Sequence, residues 1–144
     1  MKNMILLVTA LVVICWAPLS ATAGDFDGSK PLLCCATKVF ECVEVEGCRE
    51  VTPEQVNLPR FMDIDFTEKA ITTSQEGAEK RKTEIERLEH IDGKLIVEGA
   101  EDGFEGVKDG LGWSMAISEE TGRLVLTGSG DQVGFVVFGA CTLK

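Results

Sequence analysis

Six cysteines are the residues in this 144-residue chain best equipped for chemistry, and four of them crowd into "KPLLCCATKVFECVEVEGC", residues 30 to 48. Thiols at close spacing can form disulfides, bind a metal or act as nucleophiles, and the redox compartment decides among these. Cys15 belongs to a separate feature. Lys2 is followed by an apolar run from Met4 to Ala17, then Pro18, then the small-x-small pattern Ala21-Thr22-Ala23. These are the three parts of a secretory signal peptide, in order. The run falls short of the ~18 residues that argue for a spanning helix. Cys15 follows Val12-Val13-Ile14, not the small residue that a lipoprotein leader places before its cysteine. Residues 1–23 are therefore expected to be removed, with no membrane span left after cleavage and a secreted or periplasmic product.

Outside the cytosol, cysteines usually become disulfides. The mature chain keeps Cys34, Cys35, Cys42, Cys48 and Cys141, so one thiol is left over. Cys34 and Cys35 are adjacent and point to opposite faces of a strand, which makes a bond between them difficult. Cys42 and Cys48 flank "VEVEG", a turn signal, and a hairpin would set them opposite each other. Cys141 lies in the last apolar segment, which meets the first in a closed meander and so reaches Cys34 or Cys35. Parity does not choose between these two, because both faces of the segment are apolar. In the chain-entropy model the short loop contributes about 2.4 kcal/mol and the long one about 4.8 kcal/mol, both as upper values.

Other chemistry finds little support. His90, the only histidine, sits among Arg87, Glu89 and Ile91 with no Gly-x-Ser-x-Gly or similar partner motif. It reads as a surface strand residue, and no catalytic residue is assigned. One histidine and disulfide-bound cysteines leave no zinc set. The loop "GAEDGFEGVKDGLG" carries Glu101, Asp102, Glu105 and Asp109, but the spacing is not that of an EF-hand and Lys108 interrupts it. A solvated acidic loop is expected, and neither metal nor cofactor. The net charge of −10, which becomes −11 once Lys2 is removed, repels phosphate backbones and argues against nucleic-acid binding.

The elements that must position these residues read as short strands. Residues 24–30 are polar and Gly-rich, a flexible mature N-terminus, and residues 31–144 form one domain. Leu32 to Val45 is one strand or two with a bend, and Cys48 to Val51 follows. Thr52-Pro53-Glu54-Gln55 fits a capping box for one helical turn. Phe61 to Phe66 and Lys69 to Ser74 make a hairpin. Residues 75–91 admit helix or strand, and a strand from Arg81 to Ile91 leads directly into the Asp92-Gly93 hairpin signal. Trp113 to Ile117 alternates, Arg123 to Thr127 returns, and Val133 to Cys141 closes the chain. Strands every 8 to 12 residues with tight turns predict an all-β fold. We expect an antiparallel meander of about eight strands in a small barrel or sandwich, with one short helical turn and disulfide staples.

Lys30-Pro-Leu-Leu-Cys34, Gly112-Trp113-Ser114-Met115, Thr121-Gly122-Arg123 and Phe138-Gly139-Ala140-Cys141-Thr142 resemble the pattern of a group of short, uncharacterised exported bacterial proteins. The resemblance implies a single cysteine after Pro-Leu-Leu, and hence Cys34 as partner of Cys141 with Cys35 as the spare thiol. An exposed Cys35 would then give some disulfide-linked dimer. Trp113 also follows Gly110-Leu111-Gly112, similar to the Gly-x-Trp signature of lipocalins, although in that family the motif lies on the first barrel strand. The expected role is binding without enzymatic activity, as an envelope or protein-interaction module with a partner protein. The alternative is a carrier of a small apolar ligand in a cavity lined by Trp113, Met115, Phe135 and Val137; an exported hydrolase ranks below both.

Overall fold

The computed structural model describes residues 24–73, 81–103 and 110–144. The expected leader, residues 75–80 and the acidic positions Glu105 and Asp109 lie outside these.

Among the described residues, ten antiparallel strands form one curled half-barrel sheet: β1 (Leu32–Val43), β2 (Gly47–Val51), β3 (Phe61–Asp65), β4 (Ala70–Thr73), β5 (Lys82–Glu84), β6 (Arg87–Ile91), β7 (Lys94–Glu101), β8 (Leu111–Ser118), β9 (Arg123–Ser129) and β10 (Val133–Leu143). A 3₁₀ turn, Pro53–Val56, connects β2 to β3, and the Thr52 N–H donates to Gln55 Oε1 at 2.8 Å in the expected box. The strand order is β5-β4-β3-β1-β10-β9-β8-β7-β6, with β2 paired beside β1. First and last strands are thus neighbours, and Cys34 stands opposite Cys141 in their register.

The segment 82–91 is extended, but it is not one regular strand. It breaks at Ile85-Glu86, where it leaves β4 and joins β7. Ile85 N–H donates to Lys69 O and Glu86 N–H to Glu98 O, both at 2.9 Å. One short stretch therefore ties the two ends of the strand path together. The next turn takes the conformation its sequence requests, with Asp92 and Gly93 both at positive φ (49° and 70°).

β1 carries a bulge. Its register against β10 shifts between Ala36 and Lys38, and one extra residue reverses the inward parity of everything after it. Leu32, Cys34 and Ala36 are buried before the bulge, and Val39 after it. The interior is built in cross-strand rungs. Leu95, Ile117 and Leu124 form one, and Val97, Met115, Leu126, Val137 and Val39 the next. Nearly all of these side chains are fully buried, each contributing about 1.5–3 kcal/mol where a Val, Leu, Ile or Met leaves water.

Residues 24–30 form no strand, yet they are held. Phe26 packs against the core, and its N–H donates to Glu119 O at 3.2 Å. One aromatic side chain suffices to dock a stretch whose composition is otherwise polar.

Candidate functional site

The third rung differs from the two beneath it. Across β7, β8, β9 and β10 it runs Gly99, Trp113, Gly128, Phe135, so a glycine flanks the tryptophan on each side. The indole leans over Gly99. A Cβ at that position would lie 2.5 Å from both Trp113 Cζ2 and the Glu84 carbonyl oxygen, so no larger residue fits. With two side chains missing from the rung, the branched packing of the lower layers is not continued. A cavity of about 890 Å³ opens at this end of the half-barrel.

Its wall is apolar: Met62, Ile71, Leu111 and Leu126 join Trp113 and Phe135, and Val56 and Leu58 approach from the 3₁₀ turn. Among the described residues, the charged groups on its border are Glu84, Glu86, Glu101, Asp102 and Asp131 against Arg81 and Lys82. Both cations are engaged, Arg81 Nη2 donating to Asn57 O and Lys82 Nζ lying 4.0 Å from Glu68. A smaller recess of about 390 Å³, bordered by Arg87, Glu98, Ser114 and Thr127, also touches Trp113.

Of the four residues expected to line a ligand site, Trp113 and Phe135 are on the cavity wall. Met115 and Val137 are fully buried in the packed rung below it. The contributions of Met62, Ile71 and the 3₁₀ turn carried no sequence signal, since long-range pairing alone brings them to this end.

Two buried side-chain polar atoms among the described residues lack a hydrogen-bond partner. Asp63 Oδ1 is compensated electrostatically by Lys144 Nζ at 2.9 Å. The other, Trp113 Nε1, has no such compensation, although Trp113 is only 7% exposed. Leaving a buried N–H unpaired costs about 1–3 kcal/mol.

The cysteines form Cys34–Cys141 and Cys42–Cys48, and Cys35 is the free thiol among the described residues. Cys35 is half-buried, with its Sγ 3.6 Å from Ala36 O. The four paired cysteines are consumed within the chain, and the expected Cys35-linked dimer finds no support. His90 lies away from the cavity, its Nδ1 2.6 Å from Glu119 Oε1. Among the described residues no group of three His, Cys, Asp or Glu is placed to hold a metal ion, and no helix is long and apolar enough to cross a membrane. Glu101 and Asp102, the described members of the acidic loop, stand at the cavity border. No protein-family model, curated protein or solved structure matches the chain.

Proposed function

We propose that this domain is an exported, non-enzymatic binding protein that holds a small apolar molecule in the open end of its half-barrel. The cavity carries the reading. Its volume of about 890 Å³ falls in the range of ligand pockets, and protein interiors otherwise hold few voids larger than a water molecule. Its wall offers a continuous run of apolar side chains, with the charged groups standing on its border, which suits retention of a ligand. Two intramolecular disulfides are compatible with an extracellular or periplasmic site of action, to which a cleaved leader at residues 1–23 would deliver the chain.

The test fills the cavity. Gly128 lines it, and a Cβ there would come no closer than 3.5 Å to any neighbour, an ordinary contact. The uncharged fluorescent probe N-phenyl-1-naphthylamine should bind the native protein saturably at one site. Gly128→Leu should retain the native urea midpoint and bind the probe at least tenfold more weakly. A folded Gly128→Leu protein with unchanged probe affinity would refute the cavity as the site.

The outer face supports a second reading, the interaction module. Ile96, Ala116, Val125 and Phe138 form a direct cross-strand row on the outward side, with Val125 39% and Phe138 42% exposed. A partner protein covering this row would bury apolar surface that the fold leaves in water. Failure of the native protein to bind any apolar probe would put this reading ahead.

A further inference from the structure

The strand path ends at β6, which pairs with β7 on one side and, among the described residues, with no strand on the other. An edge of this kind presents unpaired backbone groups to any strand that can match it. The turn beside it fixes which groups these are. Asp92 and Gly93 form a two-residue hairpin turn at positive φ, so Ile91 and Lys94 exchange hydrogen bonds across it. Bonded and non-bonded pairs alternate along an antiparallel ladder, which makes Glu89/Ile96 and Arg87/Glu98 the next bonded pairs. The N–H and C=O groups of Leu88 and His90 therefore point away from β7, toward the open edge. Leu88 is 38% and Ile91 52% exposed, so the strand stands in water.

Charges on an edge strand usually repel a second strand, but these match themselves. The chain reads Arg87-Leu88-Glu89. We infer that β6 pairs antiparallel with β6 of a second copy of this chain, noncovalently and centred on Leu88. In this register Arg87 lies opposite Glu89 of the second copy, and Glu89 opposite its Arg87. The two Leu88 residues exchange two backbone hydrogen bonds and bring their side chains together on one face of the joined sheet. Opposite charges directly across a pair stabilise it and like charges destabilise it. The neighbouring register, centred on Glu89, sets two glutamates face to face, so charge selects the first.

Arg87 Nη2 already lies 2.6 Å from Glu89 Oε1 within one copy, and the pairing joins two such ion pairs into a cluster of four. One two-fold axis through the Leu88 pair closes the assembly at two copies. The contact is short, bounded by the Ile85-Glu86 break and the Asp92-Gly93 turn. Its expected dissociation constant is on the order of 0.1 mM, in the weak and transient class.

Sedimentation velocity tests this on protein carrying Cys35→Ser, in which no disulfide between copies can form through that thiol. From about 10 μM to about 1 mM, a range that brackets the expected constant, monomer should pass to dimer, less so at high salt. Leu88→Pro deletes the N–H that faces the open edge and keeps the bonds to β7. It should retain the native urea midpoint and lose the dimer. Arg87→Glu and Glu89→Arg each set like charges opposite one another, so each alone should dimerise roughly tenfold more weakly than the parent. Mixed in equal amounts, they should recover a dimer, because an acidic strand then faces a basic one.

Monomer throughout the range would overturn the inference. A dimer that survives Leu88→Pro would also overturn it, by placing the contact on another face. Mixed variants that stay monomeric would refute the register and the charge match behind it. If Leu88→Pro does not fold, the mixing experiment decides, since both its substitutions fall on exposed side chains.

Discussion

The two disulfides close loops of very different length, and this permits a sharp comparison. Cys34–Cys141 spans 107 positions and Cys42–Cys48 spans 6. If a disulfide acts mainly by confining the unfolded chain, its contribution grows with the logarithm of loop length, and the two should differ by about 2.4 kcal/mol. The long staple would then contribute about 4.8 kcal/mol and the short one about 2.4 kcal/mol, as upper values. Packing acts in the same direction. Cys34 is fully buried and Cys141 9% exposed, so removing their sulfurs also leaves a void in the core. The proteins to compare are Cys34→Ala/Cys141→Ala, Cys42→Ala/Cys48→Ala and their parent, all carrying Cys35→Ser so that no free thiol can exchange. Urea unfolding followed by far-ultraviolet circular dichroism gives the free energy of each. The comparison must use free energies rather than midpoints, because releasing a long loop expands the unfolded chain and raises the slope. Equal costs, or a larger cost for the short loop, would refute the confinement reasoning and with it the view that joining the chain's ends stabilises the sheet.

Two further outcomes test the geometry elsewhere. A Cβ on Gly139 would lie 2.3 Å from the Cys35 carbonyl oxygen, opposite the β1 bulge, so Gly139→Ala should lose at least 1–3 kcal/mol of stability in urea unfolding, and a neutral result would mean the two backbones are farther apart. The Glu54 carboxyl is held below its ordinary value, first by its own backbone N–H and then by the Arg60 side chain; with the folded value lowered, its contribution is present above the unfolded value and lost as pH falls through the folded one. Glu54→Gln should therefore lower the urea midpoint at pH 7 and match the parent near pH 2, and a deficit that persists in acid would contradict the assignment.

Much of the sheet is written in the alternation of the chain, because a strand with one buried face must repeat its apolar residues every second position. Trp113, Met115 and Ile117 declare β8 in this way, and Asp92-Gly93 declares its turn. β1 does not declare its bulge. From Leu32 to Val43 both faces are apolar enough to hide a change of parity at Thr37, and for the same reason the residues alone leave the partner of Cys141 open. The stretch from Lys82 to Ile91 is rich in helix formers, and what makes it extended is distant in sequence: the Lys69 and Glu98 carbonyls waiting on either side of Ile85-Glu86. The site was legible only in part. Trp113 and Phe135 were readable as inward aromatic residues, but the glycines beside Trp113 come from β7 and β9. Cross-strand register, which no local pattern specifies, sets both glycines beside the indole.

The bulge at Thr37 also sets an order of chemical attack. Cys34 and Cys42 are eight positions apart and would share one face of a regular strand. The extra residue turns Cys42 outward, so β1 anchors one disulfide inside the half-barrel and one outside it. Cys34 and Cys141 are sealed in the core, whereas Cys42 is half-buried and Cys48 is exposed. Exchange requires a thiolate to reach a sulfur, so a mild reductant in folded protein meets only the outer bond. The hairpin at the cavity end can be opened and re-formed while the first and last strands stay covalently joined. The domain thus carries one bond that answers to its redox surroundings and one that answers only to unfolding.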